Sequence, residues 1–230
     1  MVARDLLIDG KHRSSTETIR VDDPSTGETV GHVAKGNTKD TQAAIEAANT
    51  VKREWKEKSP AEYEQPLRAV AGRIETNAGE IAKLLSRETG KCLTTAEGEV
   101  IETAAQFRFY AGVTDKVRGD TIPTPPNRLN YTRRVPYGVT AHIIPWNYPL
   151  LLGTRGIASA LATGNTAVVK PPTQAPLSTM WIGEILLEEF PDGVINFVPG
   201  SGNEVGVELS SNRSVDAITF TGSTDVGKGI

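Results

Sequence analysis

Apolar and polar residues alternate with two different periods along the first half of the chain. An apolar run at residues 6–8 and an alternating segment at 18–21 are each followed by a turn with Gly or Pro, which predicts short strands before residue 37. From Thr38 to Lys58 the apolar residues recur at helical spacing, which predicts a helix. This stripe consists of Ala43, Ala44, Ala47, Ala48, Val51 and Trp55.

Start signals predict three further helices. An Asn, Ser or Thr followed three residues later by Glu has the spacing of a capping box, in which the two side chains bond backbone N–H groups of the first turn. The pairs are Ser59 with Glu62, Asn77 with Glu80, and Thr94 with Glu97. Gly90 ends the third helix. The sequence therefore predicts four helices before residue 118.

Residues 118–138 form a segment of different character. A proline-rich turn around residues 123–126 separates two short alternating segments, which predicts a protruding β-hairpin. A two-stranded ribbon cannot bury a face alone, so the hairpin needs the parent domain or a neighbouring subunit.

From Val139 onward, strands and helices alternate regularly. Strands are predicted at residues 139–144, 166–169, 194–198 and 217–221, and helices at 150–162, 176–190, 203–210 and from Ser223. This order predicts an α/β fold with a doubly wound parallel sheet, preceded by the N-terminal helices and the hairpin. Ligands of such folds bind at the carboxyl ends of the strands.

The first of these strands leads into the turn at residues 145–149, where the most informative candidate lies. Pro149 suits the first position of a helix, so Tyr148 takes the N-cap position and Asn147 falls outside the helix. The Asn147 amide is then free to donate to a developing oxyanion. The alternative is that Asn147 is an ordinary turn residue.

The later strand ends carry further candidates. Lys170 leaves an apolar strand into two prolines, which a charged ligand explains better than packing does. The glycines at 200, 202 and 206 are weak evidence alone, because their spacing is one residue longer than the dinucleotide fingerprint. Gly222 and Ser223, at a helix start, suit either a bound phosphate or a plain helix cap.

Composition excludes several classes of function. The 230 residues include 25 basic and 28 acidic side chains, giving a net charge of −3, and no long block of like charge. Nucleic acid and membrane surfaces are therefore not expected partners, and the absence of an apolar leader segment predicts a cytoplasmic location. The three histidines show no ligand spacing with each other or with the one cysteine, so no metal site is predicted.

Cys92 is the one cysteine, so no disulfide forms within the chain. One interpretation of its place near a predicted helix start is a reactive nucleophile. The interpretation favoured here is a small packed residue at a helix junction, because no histidine lies nearby in sequence.

Four ordered motifs at the strand ends resemble the aldehyde dehydrogenase superfamily. They are IIPWNYPL at residues 143–150, GNTAVVKPP at 164–172, VPGSGNEVG at 198–206 and FTGSTDVG at 220–227. The resemblance runs the whole length of the chain and includes FRFYAG at 107–112 and the hairpin, which serves oligomerisation in that family. It implies a homo-oligomer.

The resemblance also implies a role for each matching residue. Asn147 would stabilise the oxyanion. The cofactor would lie along Ile144, Pro145 and Trp146, with its adenosine ribose against Lys170 and Thr173. Its adenine side would be bordered by Gly202, Gly206, Phe220, Gly222 and Val226, with Ser223 on the pyrophosphate.

The family oxidises an aldehyde to a carboxylic acid through a cysteine thiohemiacetal and thioester, with a glutamate that activates water. Both residues lie downstream of the FTGST motif in the family. We therefore expect residues 1–117 and 139–230 to form an incomplete dinucleotide-binding domain, with residues 118–138 as the oligomerisation hairpin and the catalytic domain absent. On this view the chain is a truncated product or an excised fragment, inactive alone. The alternative is a non-catalytic dinucleotide-binding or oligomerisation module.

Thr173 departs from the commoner family pattern, which has an acidic residue three places after the lysine. A carboxylate there would bind the ribose hydroxyls of NAD and repel a 2′-phosphate. Threonine removes that repulsion, and the Lys-Pro-Pro-Thr-Gln run resembles NADP-using members such as the non-phosphorylating glyceraldehyde-3-phosphate dehydrogenases. NADP is therefore the favoured cofactor, with NAD as the second.

Overall fold

Residues 2–230 are described by a computed structural model, in which they form eleven strands and eight α-helices. The strands are β1 Val2–Arg4, β2 Leu6–Ile8, β3 Lys11–Arg13, β4 Thr18–Asp22, β5 Thr29–Ala34, β6 Thr121–Ile122, β7 Asn130–Tyr131, β8 Val139–Ile143, β9 Thr166–Lys170, β10 Ile195–Phe197 and β11 Ala217–Phe220. The helices are α1 Thr38–Lys56, α2 Pro60–Thr76, α3 Ala78–Thr89, α4 Leu93–Ala111, α5 Pro149–Ala162, α6 Leu177–Glu189, α7 Val207–Ser211 and α8 Thr224–Gly227.

The main sheet has six strands in the order β11-β8-β9-β10-β2-β3. Its first four strands are parallel, which confirms the predicted doubly wound α/β sheet. The N-terminal strands β2 and β3 extend this sheet in antiparallel pairing, an addition that local sequence patterns did not predict. Strands β1, β5 and β4 form a separate three-stranded sheet.

The strand order reverses at β8. The chain runs outward through β9 and β10 and then returns to place β11 on the other side of β8. Because strand crossovers are right-handed, this reversal puts the connecting helices on both faces of the sheet. Val169 of β9 packs with α5 and α6 in one core, while Val168 packs with α1 and α7 in the other. The carboxyl ends of β11, β8, β9 and β10 lie along one edge.

The observed helix ends show which start signals were correct. The Glu62 carboxylate accepts a hydrogen bond from Ser59 N at 2.8 Å, so the predicted start of α2 is confirmed. Gly90 ends α3 with φ at 75°, in the left-handed region that glycine adopts readily. A full capping box that the sequence analysis had not identified, Asn37 with Asp40, begins α1.

Two predicted capping boxes do not form. Asn77 Nδ2 donates to Arg73 O at 2.8 Å, so this side chain closes α2 and does not cap α3. Helix α4 begins at Leu93 with Cys92 as its N-cap, so Thr94 lies inside the first turn, where its side chain cannot act as the cap.

The predicted hairpin is confirmed as a short antiparallel ladder. Thr121 pairs with Tyr131, and Ile122 pairs with Asn130. Its apolar side chains point away from both cores: Leu129 is 77% exposed and Tyr137 is 76% exposed.

Two kinds of feature are absent from residues 2–230. None of the helices in this range combines the length and apolar character that a membrane span needs. The same range holds no group of three His, Cys, Asp or Glu side chains placed to bind a metal ion.

Candidate functional site

The turn after β8 has the geometry that the sequence predicted. Pro149 is the first residue of α5 and Tyr148 is its N-cap, without a side-chain cap. The side-chain oxygen of Asn147 accepts a hydrogen bond from Tyr148 N at 3.0 Å, which fixes the orientation of the carboxamide. The Asn147 amide nitrogen makes no hydrogen bond within the described part of the chain, and the side chain is exposed. A fixed, unoccupied N–H donor therefore stands at this strand end.

An ion pair lies beneath this turn. The Lys91 ammonium is paired with the Glu99 carboxylate and donates to Asn147 O at 2.9 Å. The other Glu99 oxygen accepts from Leu150 N at 2.9 Å and from Leu151 N at 3.2 Å. Glu99 thus supplies the N-terminal cap of α5 that Tyr148 does not provide.

Sequence analysis missed both members of this pair. Glu99 is buried on the apolar face of α4, on a stripe that includes Ala96, Val100, Thr103 and Phe107. A carboxylate inside an apolar stripe was the available signal, because a buried charge needs a partner.

A second buried glutamate caps the next crossover helix in the same way. Glu88 of α3 accepts from Leu177 N at 2.7 Å and from Ser178 N at 2.9 Å, at the start of α6. The N-cap residue of α6, Pro176, has no side-chain donor or acceptor. Burial raises the pKa of Glu88 to about 7, while these hydrogen bonds act in the opposite direction.

Lys170 ends β9 as a buried cation, with 5% of its surface exposed. Its ammonium donates to Pro171 O at 3.1 Å, and no carboxylate within residues 2–230 forms an ion pair with it. Burial lowers the pKa of Lys170 from its ordinary 10.5 to about 8. A lysine held this way gains stability from an anionic or hydroxyl-bearing ligand.

Thr173 lies beside the glycine loop that follows β10. Its hydroxyl donates to Gly200 O at 3.1 Å, so its proton is already used and only its lone pairs face a ligand. This bond brings together two strand ends that the sequence analysis treated separately.

The glycine loop differs from the predicted helix 203–210. Residues Gly202–Gly206 form a π-helical turn, and α7 follows it. Ser201 Oγ caps this turn by accepting a hydrogen bond from Glu204 N. Gly200 is required by packing, because a Cβ there would lie 2.4 Å from a methyl group of Val205. A Cβ on Gly202 would meet no atom within 4 Å, and one on Gly206 would meet only Lys170 Cδ at 3.9 Å. Gly202 therefore borders open space, whereas Gly206 is buried against the side chain of Lys170.

The end of β11 carries the remaining candidates. Ser223 Oγ accepts from Val226 N at 3.4 Å, so the serine does act as a helix cap in α8. The ring of Phe220 lies against Gly222, where a Cβ would come within 2.4 Å of the ring. Phe220 pairs with Ile143 across the sheet, next to the turn at residues 144–149.

Ile144, Pro145 and Trp146 complete the line between the strand ends. Ile144 N donates to Lys170 O at 3.1 Å, which connects the end of β8 to that of β9. Ile144 is buried, whereas Trp146 is 59% exposed. The candidates from four strands thus lie along one sheet edge.

Cys92 occupies a different environment from the one expected. It is exposed, so the interpretation as a packed residue is wrong. It follows Lys91, which contacts Asn147 O, so it lies closer to the candidate site than its sequence position indicated.

His142 is a buried polar residue that sequence analysis did not assign. The Thr140 hydroxyl donates its proton to Thr166 O at 2.7 Å, so it must accept from His142 Nε2 at 2.9 Å. Nδ1 then accepts from the Thr219 hydroxyl at 2.7 Å, which links β8 to β11. Burial lowers the pKa of His142 to about 4, so the ring is neutral.

Comparison with known proteins supports the resemblance to aldehyde dehydrogenases that the strand-end motifs indicate. The profile of the aldehyde dehydrogenase family matches residues 11–230. Hydroxyisobutyraldehyde dehydrogenase from Mycolicibacterium austroafricanum is 43% identical over 209 residues, which are 90% of this chain and 42% of that protein.

Solved structures show the same fold. An aldehyde dehydrogenase from Bacillus cereus in complex with NAD+ matches with a TM-score of 0.96 and 36% identity, over 99% of this chain and 48% of that one. An NADP-dependent enzyme from E. coli matches with a TM-score of 0.96 and 35% identity, over 99% and 48% of the two chains. The chain spans about half the length of the relatives it matches. By its motifs, its fold and this profile match, the chain belongs to the aldehyde dehydrogenase family.

Proposed function

We propose that this chain provides the dinucleotide-binding part of an enzyme that oxidises an aldehyde to a carboxylic acid. The observation that carries the proposal is the Asn147 amide nitrogen, fixed and without an acceptor, on the same sheet edge as the uncompensated Lys170 ammonium. One group suits a developing oxyanion and the other suits a polar or anionic cofactor.

The residues at the strand ends fit a nicotinamide dinucleotide. Lys170 and Thr173 would hold the adenosine ribose, and the open space beside Gly202 would receive the adenine side, with Gly206 bordering it next to Lys170. Phe220, Gly222 and Val226 would border that side, Ser223 would hold the pyrophosphate, and Ile144, Pro145 and Trp146 would lie along the cofactor. When bound, the nicotinamide supplies the hydride acceptor.

Asn147 is the proposed catalytic residue of this chain. Its side-chain oxygen is held by Tyr148 N, so the NH₂ group is presented outward and can donate to the substrate oxygen as negative charge develops there. A donor fixed before the reaction stabilises that charge without having to reorganise during the step.

We propose NADP as the preferred cofactor, with NAD accepted as well. Thr173 carries no charge to repel a 2′-phosphate, and Lys170 has no competing carboxylate. The matched structures include one in complex with NAD+ and one described as NADP-dependent.

The hairpin at residues 118–138 is proposed to mediate homo-oligomerisation. Its apolar side chains, including Leu129, Val135 and Tyr137, are exposed and have no partner surface within residues 2–230. Residues 1–117 and 139–230 would form the dinucleotide-binding domain, with the nucleophile and the water-activating glutamate supplied from outside these 230 residues.

The test is a pair of measurements on this chain and on the longer protein that contains it. Titration with NADP is expected to quench the fluorescence of Trp146 in both, with Trp146→Phe as the control for the signal. Aldehyde-dependent reduction of NADP is expected only in the longer protein. Binding by both proteins with turnover by neither would favour the non-catalytic module, and a lack of binding by both would refute the proposal.

A further inference from the structure

The backbone around Asn147 is held by two residues from another part of the chain, Lys91 on one side and Glu99 on the other. Lys91 lies between α3 and α4, and its ammonium donates to Asn147 O at 2.9 Å. It also lies 4.2 Å from the centre of the Tyr148 ring, a cation–π distance. The peptide unit that joins residues 147 and 148 is therefore contacted both at its oxygen and at the adjoining side chain.

Glu99 holds the other side of the same turn. It orients Lys91 through their ion pair and fixes Leu150 N and Leu151 N through its second oxygen. Its side chain is fully buried, and that of Lys91 is 13% exposed. A buried pair with all these bonds satisfied is rigid, because each alternative arrangement leaves a charge without a partner.

We propose that Lys91 and Glu99 are positioning residues for the Asn147 amide. Together they fix the peptide oxygen of Asn147 and the start of α5. The Asn147 carboxamide, bonded to Tyr148 N, then has one orientation relative to the strand ends. This inference rests on the proposed oxyanion role of Asn147, since positioning matters only if that amide donates during the reaction.

Glu88 offers a matched control within the chain. It is also a buried glutamate that caps a crossover helix, through Leu177 N and Ser178 N of α6. It makes no hydrogen bond to residues 145–149, and neither lysine nor arginine forms an ion pair with it within residues 2–230. A loss of stability caused by a weaker helix cap should therefore follow from Glu88→Gln as much as from Glu99→Gln. A loss of kcat caused by a misplaced Asn147 amide should follow from Glu99→Gln alone.

The experiment compares variants of the full-length enzyme that contains this chain. Lys91→Met and Glu99→Gln are expected to lower kcat by about 10²-fold, because a misplacement of about 1 Å can have that effect. KM for NADP should stay within a factor of about two, because the two variants disturb a donor to the substrate oxygen and leave the cofactor contacts unchanged. Lys91→Arg should recover part of kcat, and Glu88→Gln should leave kcat unchanged while lowering the melting temperature.

A double-variant cycle separates positioning from general damage. In an Asn147→Ala background, Lys91→Met is expected to cause no further loss of kcat, because it acts through the group already removed. Additive losses would overturn the proposal, and so would an equal loss of kcat in Glu88→Gln.

Hydrogen exchange supplies a readout that does not need activity. In the native protein the amides of Tyr148 and Leu150 should be protected, and Lys91→Met should increase their exchange about tenfold or more while α6 amides stay unchanged. Unaltered exchange at residues 148–151 would overturn the positioning role even in an active enzyme. If the exchange changes as expected but the native enzyme oxidises no aldehyde, then the proposed oxyanion role of Asn147 fails and the positioning inference falls with it, leaving a purely structural clamp.

Discussion

The hydroxyl of Thr173 donates to the carbonyl oxygen of Gly200 at 3.1 Å, which ties the end of β9 to the glycine loop after β10. The side chain that we propose to distinguish two cofactors is therefore also part of the loop's support. A test of cofactor preference must separate these two roles.

Thr173→Glu is expected to shift preference from NADP toward NAD. A carboxylate there would accept hydrogen bonds from ribose hydroxyls and repel a 2′-phosphate. The measurement is a pair of titrations, with NAD and with NADP, on the full-length enzyme.

Thr173→Val is the control, because it removes the bond to Gly200 without adding charge. It should weaken binding of both cofactors by a similar factor. A native enzyme that prefers NAD, or a glutamate variant with unchanged preference, would refute the proposed role of Thr173.

Asn147→Ala is expected to lower kcat of the full-length enzyme by about 10²- to 10³-fold, or about 3 to 4 kcal/mol, the usual cost of losing one oxyanion donor. Cofactor affinity should barely change. Asn147→Asp keeps the shape but replaces the N–H donor with a negative charge, so it should be at least as defective. Retained kcat with lost cofactor binding would show that Asn147 is a turn residue.

Affinity for NADP is expected to fall as pH rises through about 8. The buried Lys170 loses its charge there, because burial lowers its pKa to about 8. NAD, which lacks the 2′-phosphate, should show a weaker dependence. Lys170→Arg keeps its charge at these pH values and should flatten the NADP curve; an unchanged curve would contradict the prediction.

Lys170 should also leave a signature in the stability of the ligand-free protein. Its pKa is lower in the folded state than its ordinary 10.5, so the unfolded state binds more protons between about pH 8 and 10.5. This residue therefore makes the free energy of unfolding rise with pH in that window. Urea unfolding of native protein and Lys170→Met, compared at pH 8 and 10, isolates its share; an equal pH dependence in both would contradict the assignment.

His142 should make the fold sensitive to mild acid. Its pKa is lowered to about 4 by burial, so between about pH 4 and 6.5 the unfolded state binds more protons and stability falls as pH falls. The shift corresponds to a few kcal/mol at most. In His142→Gln, the difference in unfolding free energy between pH 7 and pH 5 should be smaller than in the native protein. An equal or larger difference would show that other groups cause the acid sensitivity.

Local patterns predicted the alternating second half of the fold well. The helix start at Pro149 follows from proline geometry, and the strand predicted at residues 166–169 follows from periodicity and ends only one residue later, at Lys170. The capping box at Asn77 failed because this residue also ends α2, where its amide donates to Arg73 O. The one at Thr94 failed because Cys92, two residues earlier, is the N-cap of α4. Spacing alone does not say which residue has the N-cap conformation.

Contacts between distant segments could not be predicted in this way. Glu99 reaches Leu150 and Lys91 reaches Asn147 across more than 50 residues, and only the packing of α4 against α5 brings them together. The strand-end residues were identifiable because parallel strands place their carboxyl ends along a common edge. No comparable rule predicts where Lys91 and Glu99, which lie beneath these strand ends, make their contacts.

The antiparallel pairing of β2 with β10 affects how the chain folds during its synthesis. Asp9 N donates to Asn196 Oδ1 at 2.9 Å, and these residues are 187 positions apart. Ribosomes add about 5 to 20 residues per second, so the first apolar strand waits roughly 10 to 40 s for the neighbour that completes its ladder. Throughout that interval Leu6, Leu7 and Ile8 lack their final burial, so we expect this sheet edge to close late in folding.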